Sequence, residues 1–183
     1  MQVDVHVQWD GNQRGQENTE PAPHSLTKPW RAESYLIPEP TWRLWFQQWF
    51  TYLQPDISPI QSYELSLLLT DDPGIQALNA SYRNQDRPTD VLAFATLDHP
   101  SPPTALWAEI PVELGDIIIS VETAANQAQE HHHTLVQEMA WLATHGLLHL
   151  LGWDHPDSER LRLMLTQQQQ LLKQIFPSTP EQY

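Results

Sequence analysis

Apolar and polar positions near the N-terminus alternate with the two-residue period of a β-strand. From Val3 to Trp9 every second residue is apolar, which predicts a strand that buries one face. Three later segments are short apolar runs without this alternation, and such runs are typical of strands that are buried on both faces. These three predicted strands cover residues 63–69, 91–95 and 114–121.

Five other segments are predicted to be helices, most of them because apolar residues recur three and four positions apart and can share one buried face. The first carries an aromatic stripe from Trp42 to Phe50, which we interpret as core packing rather than a surface for stacking bases. Thr134 and Gln137 have the spacing of a capping box, which predicts the start of the fourth helix, and Gly152 ends it. The predicted helices cover residues 42–53, 72–82, 120–130, 135–151 and 157–175.

The longest segments between these elements are predicted to be loops. Residues 10–40 are rich in Gly, Pro, Asn, Gln and Ser and have no apolar period, so we expect a long loop or an insertion there. A second loop, dense in proline, is expected at residues 100–111. Four consecutive glutamines at 167–170 predict a solvated face of the last helix. With 183 residues and no internal repeat, we expect one domain over residues 1–183.

The composition restricts both the metal chemistry and the partners. The chain has no cysteine, so a metal would need histidine, aspartate or glutamate ligands. Acidic residues outnumber Lys and Arg by 23 to 9, a formal net charge of −14, which argues against broad attraction to nucleic acid and makes DNA an unexpected partner. Between Arg43 and Arg160 the only fixed positive charges are Arg83 and Arg87, which form one short basic focus.

The sequence does not predict targeting to a membrane. The N-terminus has no basic stretch followed by an apolar one, and no segment approaches the ~20 apolar residues of a membrane span. We therefore expect a cytoplasmic protein without a membrane partner.

Three histidines have the spacing of a metal site. His145 and His149 lie four residues apart in the fourth predicted helix, so both imidazoles project from the same face about one turn apart. Gly152 permits a sharp turn that can bring His155 beside them. A set of three histidines suits Zn²⁺ and leaves a fourth position open for water, so we predict one catalytic zinc per chain. Residues 131–133 are also histidines, but neighbours in a loop face one ion poorly, and we predict that they are solvated.

The spacing His-x-x-x-His-x-x-Gly-x-x-His is also similar to the ligand pattern of metzincin proteases. Those enzymes place a glutamate directly after the first ligand, where it acts as general base. Gly146 occupies that position here, which argues against a peptidase of this kind.

A second motif joins the helix that ends near Tyr82 to the strand that begins at Val91. Its polar residues are Arg83, Asp86, Thr89 and Asp90. Taken alone, they are ordinary turn chemistry. In combination with Leu-Gly-Asp-Ile at 114–117 and the histidine motif at 145–155, however, the chain strongly resembles the YbeY family of bacterial endoribonucleases over about residues 60–157. One departure is Trp153, where the family usually has Tyr.

The resemblance implies an α+β fold, with a small, mostly parallel mixed sheet surrounded by helices. It implies that His145, His149 and His155 bind zinc and that Arg83 takes part in RNA cleavage. It also implies a zinc-dependent, single-strand-specific endoribonuclease that acts in 16S ribosomal RNA 3′ end maturation and in ribosome quality control. Its expected partners are the ribosomal RNA precursor and the small ribosomal subunit.

The chemistry of individual residues leaves alternatives. The planar guanidinium of Arg83 can bridge two phosphoryl oxygens, and Arg87 is a candidate for a second phosphate contact. The attacking group is either a zinc-activated water or the RNA 2′-hydroxyl. Asp154 either accepts a hydrogen bond from a ligand imidazole and so orients it, or caps the turn. Two other functions stay open beside the endoribonuclease: a zinc hydrolase of another substrate, such as a peptide, and a ribosome-binding module with a structural zinc.

Overall fold

The structure is a computed structural model that describes residues 1–10, 37–96 and 109–177. Its elements, in chain order, are β1 (Gln2–Asp10), α1 (Glu39–Leu53), β2 (Ser62–Thr70), α2 (Asp72–Arg83), β3 (Val91–Ala95), β4 (Val112–Ser120), α3 (Val121–Glu130), α4 (Leu135–Leu150) and α5 (Ser158–Ile175). Each predicted strand and helix is confirmed, with small shifts at the ends. Residues 11–36 of the predicted loop at 10–40 and most of the loop at 100–111 lie outside the described residues; at the ends of the first loop, Asp10 belongs to β1 and Glu39 begins α1.

The four strands form one mixed sheet in the order β1-β2-β4-β3. Strand β2 is parallel to both β1 and β4, and Leu67 pairs with Val7 on one side and Ile117 on the other. Strand β3 is antiparallel to β4 and forms an edge. This confirms the α+β fold with a mostly parallel mixed sheet that the family resemblance implied.

The two faces of the sheet carry different cores. Alternate residues of β2 and β4, among them Leu67 and Ile117, face the main core that α1, α4 and α5 complete. The residues between them, Leu68 and Ile118, belong to a smaller cluster under α2 on the opposite face. Burying a Leu or Ile side chain contributes about 1.5–3 kcal/mol, so a slip of one residue, which would exchange the faces, is strongly disfavoured.

The aromatic stripe of α1 lies inside the main core. Trp42, Phe46 and Trp49 are fully buried, which confirms core packing and leaves no surface for base stacking there. The indole N–H of Trp49 donates to the backbone carbonyl of Leu171, 3.1 Å away, and so ties α1 to α5. In the described residues no helix is long and apolar enough to cross a bilayer.

Candidate metal centre

The helix that carries two of the predicted ligands is fixed at its start by the predicted capping box. The Thr134 hydroxyl accepts from the Gln137 backbone N–H at 3.2 Å, and the Gln137 side chain accepts from the Thr134 N–H at 2.9 Å. The two bonds satisfy amides that a helix N-terminus otherwise leaves without partners.

Gly146 sets the distance between α4 and the sheet. A Cβ built at this position would lie 2.7 Å from Cγ2 of Ile117 in β4, closer than such contacts normally come. The helix therefore approaches the strand more closely than any larger residue allows. The same geometry leaves no room for a glutamate general base, in agreement with the argument against a metzincin-like peptidase.

The turn after α4 brings the third histidine back to the first two. Gly152 has a φ of +85°, and its N–H donates to the carbonyl of His149 while the Trp153 N–H donates to Leu148, both at 2.9 Å. This pair of bonds is a Schellman motif, which the left-handed Gly152 makes possible. The Asp154 carboxylate accepts from the backbone N–H of His155 at 2.8 Å, so Asp154 caps this turn.

The three imidazoles converge as the sequence predicted. One ring nitrogen from each of His145, His149 and His155 lies within 4.8 Å of the other two, and the Nε2 atoms of His145 and His149 are 3.1 Å apart. Two nitrogens bound to one tetrahedral zinc at ~2.0–2.1 Å would be roughly 3.3 Å apart. All three residues are half-buried. Both the spacing and the donor set therefore fit a Zn²⁺ ion.

Gln168, which was predicted to be exposed to solvent, orients the first ligand. Gln168 of α5 is fully buried, its amide donates to the Trp141 carbonyl at 2.8 Å, and its Oε1 lies 3.3 Å from Nδ1 of His145. Because that oxygen can only accept, Nδ1 of His145 carries the proton. The lone pair of Nε2 then points to the place where the three rings converge. The predicted solvated face at 167–170 is wrong at this position. The available signal was that Gln168 shares a helical face with Met164 and Leu171.

The surroundings favour the neutral form of two of the three histidines, His145 and His149. Burial lowers the pKa of His145, and it does so against the hydrogen bond that His145 donates to Gln168 and the negative charge of Asp90. Burial also lowers the pKa of His149, and the neighbouring His145 and His155 lower it further. Neutral imidazoles are the form that binds metal, so the site is ready to bind a metal at neutral pH.

The imidazoles line an open pocket of about 670 Å³ that also includes Arg83, Asp90 and two tryptophans, Trp141 and Trp153. Arg83 is the last residue of α2, and in the described part of the chain no carboxylate forms an ion pair with it. The structure thus brings the first predicted arginine into the pocket with the histidines.

The second arginine of the basic focus lies outside that pocket. Arg87 is not among its lining residues, and its guanidinium donates to the Gln85 side chain at 3.0 and 3.2 Å. Asp90, by contrast, lines the pocket and accepts hydrogen bonds from the Thr89 hydroxyl, the Val91 N–H and the Gln127 amide.

Residues 131–133 differ from one another. His131 and His132 are exposed, as predicted, but His133 is half-buried and contacts the carboxylate of Glu138, which is fully buried in the first turns of α4. The prediction of a solvated side chain is wrong for His133 because a buried carboxylate needs a polar partner. His131 also reaches Glu138, at 3.3 Å, so these three residues form a second group whose geometry could hold a metal.

The mixed sheet and the pocket that joins three imidazoles to an arginine define the class of the protein as an α+β enzyme with a candidate metal centre. A family model described as Endoribonuclease YbeY matches residues 30–176. A relative named Endoribonuclease YbeY from Acaryochloris marina is 66% identical over 172 residues, which cover 94% of each chain. One of the same name from a Nostoc species is 53% identical over 148 residues, 79% of this chain and 80% of the relative.

The chain therefore belongs to the Endoribonuclease YbeY family, which confirms the resemblance found in its motifs. It is an endoribonuclease, a hydrolytic nuclease whose substrate is RNA. A solution structure of a Thermotoga maritima protein is similar in fold, with a TM-score of 0.53 at 20% identity, and it covers 94% of this chain and 89% of that one.

Proposed function

We propose that this endoribonuclease is zinc-dependent and specific for single-stranded RNA, and that it acts in the cytoplasm in 16S ribosomal RNA 3′ end maturation and ribosome quality control. Its substrate would be the ribosomal RNA precursor at the small ribosomal subunit. The observation that carries the proposal is the convergence of three imidazoles with Arg83 in one open pocket.

His145, His149 and His155 would hold the zinc. Zinc in this pocket would supply a Lewis acid that polarises the phosphate and lowers the pKa of a water. Gln168 holds His145 in the tautomer that a ligand needs. Asp154 holds the backbone of the turn that carries His155, and we propose that it supports this ligand by that route.

Arg83 would act on the phosphate itself. A guanidinium can donate two parallel hydrogen bonds to phosphoryl oxygens, and such bonds strengthen as negative charge develops in the transition state. Arg83 is exposed within the pocket and close in chain to Arg87, which we propose contacts a phosphate outside it.

The competing functions have less support in the structure. A peptidase of the metzincin kind needs a glutamate where Gly146 packs against Ile117. A purely structural zinc is favoured by a closed site, whereas these imidazoles are half-buried in an open pocket.

The test compares two His→Ala variants by elemental analysis and RNA cleavage. His149→Ala should lose the zinc and cleavage together, because it removes one of three ligands. His132→Ala should keep both, because its side chain is exposed and it belongs to neither of the two groups that could hold a metal. Wild-type protein should contain about one zinc, and chelation should stop cleavage of single-stranded RNA until zinc is restored. Full zinc in His149→Ala, or undiminished cleavage after complete chelation, would refute the assignment.

A further inference from the structure

Trp153 is an exposed aromatic residue at the rim of the metal pocket. Its side chain is 37% exposed although Trp is one of the largest apolar residues, and in the described part of the chain its ring has no aromatic partner. The Schellman bond from its N–H to Leu148 fixes its backbone. In such motifs the residue at this position often packs against the helix, but here much of the ring stays accessible. The ring is therefore held in place and open to a ligand.

Trp153 also lines a second depression, of about 470 Å³, next to the metal pocket. Tyr52, at the end of α1, is 43% exposed and contributes another aromatic ring. Most other lining residues are apolar, and they include Leu53, Pro55 and Ile57. The two depressions therefore lie side by side, with Trp153 as their common wall.

The charges of the second depression do not suit phosphate. No Lys or Arg is among its lining residues in the described chain, and Asp56 adds a negative charge. The aromatic faces of Trp153 and Tyr52 suit the flat faces of nucleobases instead, and stacking of this kind tolerates any base. A base exposes its face to a protein ring only when it is unstacked, as in single-stranded RNA.

We propose that Trp153 and Tyr52 form a base-stacking track that extends the metal pocket and binds unpaired nucleotides next to the scissile phosphate. This inference rests on the endoribonuclease activity. It assigns substrate binding to two residues that are neither metal ligands nor arginines. The track would give the proposed preference for single strands a physical cause, since bases stacked in a duplex cannot present their faces to the two rings.

The first test measures cleavage of a short single-stranded RNA by Trp153→Ala, Trp153→Phe and Tyr52→Ala at matched zinc content. Trp153→Ala should lower kcat/KM about ten-fold, mainly through KM, because a stacking contact is lost. Trp153→Phe should recover most of the loss. Tyr52→Ala should lower kcat/KM about three-fold or more. Trp9→Ala is the matched control, because Trp9 is 38% exposed but lies on β1, at the opposite edge of the sheet from β3, and should leave cleavage unchanged.

The salt dependence separates stacking from charge. Loss of a stacking contact should leave the slope of log kcat/KM against log salt concentration unchanged, because no counterion is released by a base. A slope that becomes shallower in Trp153→Ala would mean that the variant disturbed a phosphate contact, and it would count against the track.

The second test removes the base instead of the ring. An abasic nucleotide is placed in turn at each position flanking the cleavage site. At one of these positions it should lower the kcat/KM of the wild type about ten-fold. The same substrate should lower the kcat/KM of Trp153→Ala hardly at all, because that variant has already lost the stacking contact. If no position shows this coupling while the wild type cleaves RNA, the track is wrong and the nuclease assignment stands. If Trp153→Ala loses zinc, the abasic scan in the wild type and in Tyr52→Ala decides. A wild type that cleaves no RNA would instead contradict the proposed function.

Discussion

Arg83 owes its place in the pocket to the way α2 ends. Asn84 takes the left-handed conformation, φ 56°, and ends the helix directly after the arginine. The buried Asn79 then fixes the loop that follows. Its side-chain amide donates to the backbone carbonyl of Arg87 at 2.8 Å, and its backbone carbonyl accepts from the backbone N–H of Gln85. The loop is thus anchored by its backbone, and the Arg83 side chain is free to meet a substrate.

Substitution of Arg83 should affect the rate and leave the fold unchanged. Arg83→Lys keeps the charge but loses the planar fork, so cleavage of saturating RNA should fall about ten-fold or more, and Arg83→Ala should fall further. Both should retain zinc and melt near the wild-type temperature, because the side chain is exposed and makes no described ion pair. The measurement is kcat at matched zinc content. Wild-type kcat in Arg83→Ala would remove Arg83 from catalysis.

Residues that act through local spacing could be predicted, and residues that act across the fold could not. His145 and His149 are one helical turn apart, and Gly152 marks the turn to His155, so the sequence alone brings them together. Gln168 reaches His145 from another helix, 23 residues away in the chain. No helical period predicts that contact, although a polar residue in an apolar stripe marks it as unusual.

At the level of elements, the contact between α4 and β4 positions the metal centre. The helix packs against Ile117, which is fully buried, at Gly146, where a side chain would collide with the strand. Caps and apolar periods predicted where each element begins and ends because these signals are local. The closeness of the approach depends on which strand faces Gly146, and strand order is set by long-range pairing that periodicity does not contain.

Gly146→Ala should destabilise the protein even though Ala is the better helix former. The gain in helix propensity is about 1 kcal/mol, whereas the new Cβ would lie 2.7 Å from Cγ2 and 3.2 Å from Cγ1 of a core isoleucine. Overpacking of this kind costs about 1–3 kcal/mol, so we expect a net loss of about 1 kcal/mol in the free energy of unfolding. Urea denaturation followed by circular dichroism measures it.

A double variant tests whether the collision with Ile117 is the cause. Ile117→Ala removes the colliding atoms and is itself strongly destabilising. In that background Gly146→Ala should become neutral or stabilising, because only the propensity term remains. If Gly146→Ala is stabilising in the wild-type background, the close approach does not limit the residue at this position.

At the level of the whole molecule, an acidic protein must bind an acidic substrate. The net charge is −14, so the general field repels RNA, and attraction has to come from local cations such as Arg83. The pocket itself is assembled from the end of α2, β3, α4 and its following turn, and α5. The composition predicted that the protein as a whole repels RNA. That Arg83 lines the same pocket as the histidines could be learned only from the fold.

Arg87 provides the test of how this local attraction works, because it lies outside the metal pocket and close in chain to Arg83. Arg87→Ala should raise KM with little change in kcat, and it should reduce the magnitude of the slope of log kcat/KM against log salt by about 0.7, the value for one phosphate contact to a single strand. Arg43→Ala is the matched control. It removes the same charge from the whole molecule, but Arg43 is paired with Asp4 and Glu39 on the side of β1, the sheet edge opposite β3. An equal change of slope in both variants would show that net charge governs binding, and Arg87 would then have no phosphate contact of its own.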